Sequence, residues 1–149
     1  MRVTILQVDL YWEDQEKNLA MFSEKLDGLK PQTDLIVLPG MFTTGFLMGP
    51  EKLAEEMTGA TFQWLKRESE KYDAVVIGSY IVKEKGKYFN RLVSLFPDGS
   101  YFKYDKRHLF RMGEENKHYS AGTGKLIINH NEWRICPLIC YDLRFPVWS

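Results

Sequence analysis

The segment DLIVLP, Asp34 to Pro39, is apolar without alternation. A strand with one wet face alternates apolar and polar residues. One that does not is covered on both faces, as in a parallel sheet. Parallel strands need crossovers of a dozen or more residues, and the flanking sequence supplies them. RVTILQVDL, Arg2 to Leu10, is β-rich and reads as the first strand. DQEKNLAMFSEKLDGLK follows with Leu19, Phe22, Leu26 and Leu29 spaced by three and four, an amphipathic helix closed by Gly28 and a turn at Pro31. TGATFQWLKRESEKY reads as a second helix and AVVIGSYIV as the next strand.

The pattern then changes. KEKGKY is a hairpin turn before YFNRLVSLF, and PDGS is a strong turn before YFKYDK. KLIINHNEWRICPLIC reads as two strands joined around Asn129 to Asn131. Strand and helix alternation followed by antiparallel hairpins predicts an α/β fold with mixed sheets. A length of 149 residues with 44% hydrophobic side chains suits a single domain, residues 1–149, with a sizeable core.

Lys plus Arg and Asp plus Glu number 20 each. A balanced chain gives no electrostatic case for a nucleic-acid or membrane partner. No apolar run reaches spanning length, and MRVTILQVDL lacks a cleavable-signal pattern, so a cytoplasmic location is expected. Cys136 and Cys140 share WRICPLIC. If that run is one strand, about 13 Å separates their Cα atoms, beyond the roughly 7 Å a disulfide spans. Free thiols fit a reducing compartment.

Several side chains are candidates for chemistry. Cys140 closes an apolar run and precedes the polar YDLR. At a strand-to-helix junction, backbone N–H groups favour a thiolate and can hold an oxyanion. A buried structural cysteine is the alternative, and position alone leaves both open. Lys106 in YFKYDKRHLF is either part of a solvated basic turn or a cation beside a nucleophile. Glu114, Glu115 and His118 invite a metal reading, but their spacing is not H-E-x-x-H and no cysteine accompanies them. No phosphate-cradling or dinucleotide motif is present, and neither metal nor cofactor is expected.

Four segments in order, LPGMFTTGF, YDKRHLF, EENKHYSAG and CYDLRFPVWS, together resemble the nitrilase superfamily of carbon–nitrogen hydrolases, and most closely its omega-amidase-like branch. The resemblance implies a nitrilase-like αββα sandwich, mixed sheets flanked by helices. It also implies considerably more chain after the cysteine motif, so that these residues form the N-terminal part of that fold. The implied catalytic set is a Glu–Lys–Cys triad with a second supporting glutamate. Matched by motif, Cys140 is the nucleophile, Lys106 the lysine and Glu115 the supporting acid. The Tyr141 backbone N–H joins the oxyanion site. Gly40 stands where the general-base glutamate is expected.

The implied activity is hydrolysis of small omega-amides to carboxylate and ammonia through a cysteine thioester. A homo-oligomer is expected, because a sandwich lacking much of one sheet exposes apolar faces and unpaired edges. The glycine at position 40 opens two alternatives. One is a non-catalytic homologue that binds a small carboxylate or amide; the other is an altered copy of the amidase.

Overall fold

The computed structural model describes residues 1–28 and 33–149. Five strands form one sheet in the order β1-β2-β3-β4-β5. β1 (Val3–Ile5), β2 (Leu35–Val37) and β3 (Val75–Glu84) run parallel; β4 (Lys87–Leu95) and β5 (Tyr101–Asp105) continue antiparallel. The crossovers carry helices α1 (Gln15–Asp27) and α2 (Ala60–Tyr72). A short helix α3 (Glu115–His118) precedes a two-stranded sheet, β6 (Ile128–His130) with β7 (Trp133–Ile135).

The unalternating apolar segment is covered on both faces, as expected. Ile36, Val76, Phe22, Leu26, Trp64 and Leu65 pack together on the helical side of the sheet. Leu35, Val75 and Ile77 point the other way and meet Ile128 and Ile139 beneath the small sheet. The period of two in side-chain direction splits β2 and β3 between the two clusters. The resulting order of helices, large sheet and small second sheet fits part of an αββα sandwich.

Local chemistry sets the boundaries. Asp14 caps α1 through a bond from the Lys17 N–H. Gly28 closes the helix as expected, while Leu29 and Pro31 lie outside the described residues. Asn18, not Leu19, takes the fully buried place on that helix. Its amide donates to the carbonyls of Tyr11 and Thr43. Lys85 and Gly86 are both left-handed, as the two-residue hairpin joining β3 and β4 requires. Asn131 and Glu132, also left-handed, form the β6–β7 turn, one or two residues beyond its expected place.

Three expectations need correction. Pairing in β1 covers only Val3–Ile5, because Leu6, Val8 and Leu10 turn to pack on the core under α1. β7 ends at Ile135, so Cys136 and Cys140 do not share a strand. Pro137 has no N–H for a ladder, and the chain leaves the sheet there. The residues after Cys140 form a single 3-10 turn, Cys140–Arg144, rather than the start of an α-helix.

Candidate active site

Three loops leave the same end of the two sheets. The first follows β2. The Met41 N–H donates to Ser79 Oγ at 2.9 Å and the Phe42 N–H to the Ser79 carbonyl at 3.1 Å, pinning this loop to β3. Gly40 sits just before these bonds. A Cβ built on it would find only Ser79 Oγ among the described residues, at 3.8 Å.

The second loop follows β5. The Lys106 N–H donates to the Asn90 carbonyl at 3.0 Å, extending the β4–β5 ladder by one residue. Lys106 is 1% exposed, which overturns the solvated basic turn. Its ammonium donates to Glu115 Oε2 at 2.7 Å and lies 5.5 Å from the Phe46 ring centroid. Glu115 is fully buried and also accepts from the Phe110 N–H at 2.6 Å. Two charged donors and acceptors are thus satisfied on one another, the condition under which a buried pair is tolerated.

The Asn90 side-chain nitrogen Nδ2 is 3.5 Å from Glu115 Oε1, and its side-chain oxygen Oδ1 has no partner among the described residues. Glu115 accepts only, so the Asn90 NH2 must face it.

The third loop carries the cysteine. Cys140 is exposed and has a φ of +47°, a left-handed conformation unfavourable for a side-chain-bearing residue. Tyr141 stacks edge-on against Phe110 and Phe145, with centroids 5.1 and 5.4 Å away. Both cysteines are free, Cys136 being half-buried.

Gly40, Lys106, Cys140 and Tyr141 all line one cavity of about 810 Å³, together with Phe46, Asn90, Phe110 and Arg144. Glu115 lies behind it, on Lys106. Gly40, Lys106, Glu115, Cys140 and Tyr141 are therefore gathered at one place, whereas Glu114 and His118 do not line the cavity. Arg144 forms no ion pair among the described residues, whereas Lys106 is neutralised. Sequence reasoning missed Asn90, Phe46, Arg144 and Asp142. A polar residue inside the apolar strand YFNRLVSLF was the only signal for Asn90.

The wall behind Lys106 is held by a close approach. Gly122 donates its N–H to the Lys106 carbonyl at 2.9 Å, and a Cβ there would lie 2.1 Å from the Asp105 carbonyl oxygen. Backbone cannot yield as a side chain can. Gly122→Ala is expected to cost about 3 kcal/mol, read as a lower urea midpoint. An unchanged midpoint would show that the segment moves aside freely. Tyr119 secures the same wall by donating to the Leu47 carbonyl, and burial pushes its hydroxyl well above the usual range, keeping it a donor.

Among the described residues, no group of three or more His, Cys, Asp or Glu converges as metal ligands would. No described helix is long and apolar enough to cross a membrane.

A layered sheet presents a cysteine, a buried lysine and its paired glutamate around one cavity. The chain belongs to the carbon–nitrogen hydrolase family, matching it over residues 2–148. Among curated relatives, it is 44% identical over 149 residues to Omega-amidase YafV of Yersinia enterocolitica, covering 100% of this chain and 57% of that protein. It is 30% identical to the 2-oxoglutaramate amidase of Bacillus subtilis, covering 98% of this chain and 58% of that one. A CN-hydrolase superfamily protein from Xanthomonas campestris, solved with an arsenic adduct in its active site, superposes with a TM-score of 0.95 at 40% identity, over 98% of this chain and 55% of that one. The chain thus spans somewhat more than half the length of these relatives.

Proposed function

We propose that the cavity is the acyl-transfer site of a thiol amidase acting on small omega-amides of keto or dicarboxylic acids. The observation that supports this most is the buried Lys106–Glu115 pair opening onto the cavity that Cys140 lines. The Cys140 thiolate attacks the amide carbonyl carbon, and the carbonyl oxygen becomes an oxyanion. Lys106, held by Glu115, and the Tyr141 N–H stabilise that charge. The C–N bond breaks, the nitrogen takes a proton and leaves as ammonia, and a thioester remains. Water adds to the thioester, releasing the carboxylate and the thiol. Arg144 offers the cavity an uncommitted cation, which suits a carboxylate at the far end of the substrate. The amidase names carried by the relatives favour the same class.

Position 40 supplies no carboxylate to accept the thiol proton, so slow turnover is expected. Ammonia release from a panel of small amides, with and without a terminal carboxylate, tests the proposal. Faster release from the carboxylate-bearing amides supports it. Ligand-dependent thermal stabilisation without any ammonia supports the second reading, a binding protein, which Gly40 favours. The same chemistry makes Cys140 the reactive thiol. Limiting iodoacetamide should label Cys140 ahead of Cys136, mapped by mass spectrometry, and preferential labelling of Cys136 would refute its role. Exposed Val3 and Ile5 on the edge strand β1 offer a surface for association, consistent with an oligomeric enzyme.

A further inference from the structure

We propose that Asp142 is a positioning residue that registers the cysteine turn against the lysine loop. This rests on the reading of Cys140 and Lys106 as partners in one reaction. Asp142 is fully buried and each of its oxygens takes two donors. Oδ1 accepts the backbone N–H of His108 at 2.8 Å and bonds the His108 ring at Nδ1, 2.9 Å away. Oδ2 accepts the Tyr104 hydroxyl at 2.7 Å and the Ile139 N–H at 3.2 Å.

These donors belong to different elements. His108 is two residues past Lys106, and Ile139 immediately precedes Cys140. One carboxylate therefore ties the backbone beside the lysine to the backbone beside the nucleophile. Tyr104 adds a second tie. Its hydroxyl accepts the Arg107 N–H and the Trp148 indole N–H, each at 3.2 Å. Burial, reinforced by the bond to Asp142, pushes its titration well above the usual range, so it remains a donor. The His108 ring lies flat on Phe145, 3.7 Å between centroids, at the end of the cysteine turn.

The arrangement explains how Cys140 keeps its left-handed backbone. A residue held in that region persists only when its surroundings over-determine it. Asp142 supplies the constraint from inside the turn: its carboxylate accepts the Ile139 N–H, and its own N–H donates to the Ile139 carbonyl at 3.1 Å. Without the carboxylate, the turn is free to relax and carry the thiol away from Lys106.

Asp142→Asn separates the two ties. An asparagine keeps one oxygen for the His108 donors, but its NH2 then faces the Ile139 N–H, donor against donor. Cys140 alkylation by iodoacetamide is followed from about pH 5 to pH 10 in three proteins. They are the parent, Asp142→Asn, and the paired replacement Lys106→Met with Glu115→Gln, which removes the lysine without stranding a buried charge. The expected result is that Asp142→Asn slows Cys140 about tenfold at neutral pH and moves its pH profile onto that of the lysine-free protein. A folded Asp142→Asn protein whose profile superimposes on the parent's, while the lysine-free profile differs, overturns the positioning role alone. If the lysine-free profile equals the parent's, the partnership of Cys140 and Lys106 fails, and the positioning role fails with it. Should Asp142→Asn not fold, Tyr104→Phe removes one bond to the same carboxylate. It should slow Cys140 in the same direction, about threefold; an unchanged rate overturns the proposal.

Discussion

Gly40→Glu is expected to raise amide turnover by about 10²-fold or more when this chain is joined to the part of the Yersinia relative that it does not cover. The backbone at position 40 tolerates a side chain's first carbon. Among the described residues, a Cβ at position 40 meets only Ser79 Oγ at 3.8 Å, so no backbone must move to admit that atom. The glycine lines the same cavity as Lys106 and Cys140. The gain should appear mainly in kcat, because a proton-transfer group acts in the transition state. In a Cys140→Ala background the same substitution should add nothing, since a base without its nucleophile has no proton to take. If the glutamate changes nothing while the glycine form already hydrolyses amides, position 40 is only a turn. The base would then be sought elsewhere, first at Glu115, although that carboxylate is already engaged by Lys106 and the Phe110 N–H.

Removing one member of the Lys106–Glu115 pair should be the most destabilising single change at the site. Both side chains are essentially excluded from solvent, at 1% and 0% exposure. Glu115→Ala leaves an ammonium buried beside the Phe46 ring, and Lys106→Ala leaves a carboxylate whose remaining partners among the described residues are the Phe110 N–H and a long contact to Asn90. Breaking such a pair from one side costs about 3–5 kcal/mol, whereas replacing both members with groups of similar volume is often close to neutral. The single variants should therefore melt far below the parent in urea, and Lys106→Met with Glu115→Gln should recover most of the loss. Equal destabilisation by the double and single replacements would mean that the pair contributes through packing rather than charge. The double variant should still lack turnover, which separates the folding role of the pair from its chemical one.

Much of this protein follows from local pattern. The unalternating DLIVLP required a strand covered on both faces, and the structure puts helices on one side of β2 and the small sheet on the other. The spacing of Phe22 and Leu26 fixed the buried face of α1, and Lys85–Gly86 fixed a two-residue hairpin, because each depends only on residues a few positions apart. The motif order selected Gly40, Lys106, Glu115 and Cys140 before any geometry was known.

Tertiary structure decided the rest, because what mattered there was which distant segments meet. Lys106 sits in a basic stretch that a solvated turn would explain equally well; only the arrival of Glu115, nine residues on and fully buried, makes it an interior cation. WRICPLIC is rich in strand-forming residues, yet the chain leaves the sheet after Ile135, with Pro137 unable to donate and Cys140 fixed in a left-handed turn. Asp142 lies within the cysteine motif, but nothing in the sequence marked it as buried or as tied to the lysine loop. Its four donors come from Tyr104, His108 and Ile139, brought together only when β5 and the end of the small sheet pack side by side. Periodicity reports the environment a residue prefers, but a buried polar group is defined by the partners that satisfy it, and those are set by long-range packing.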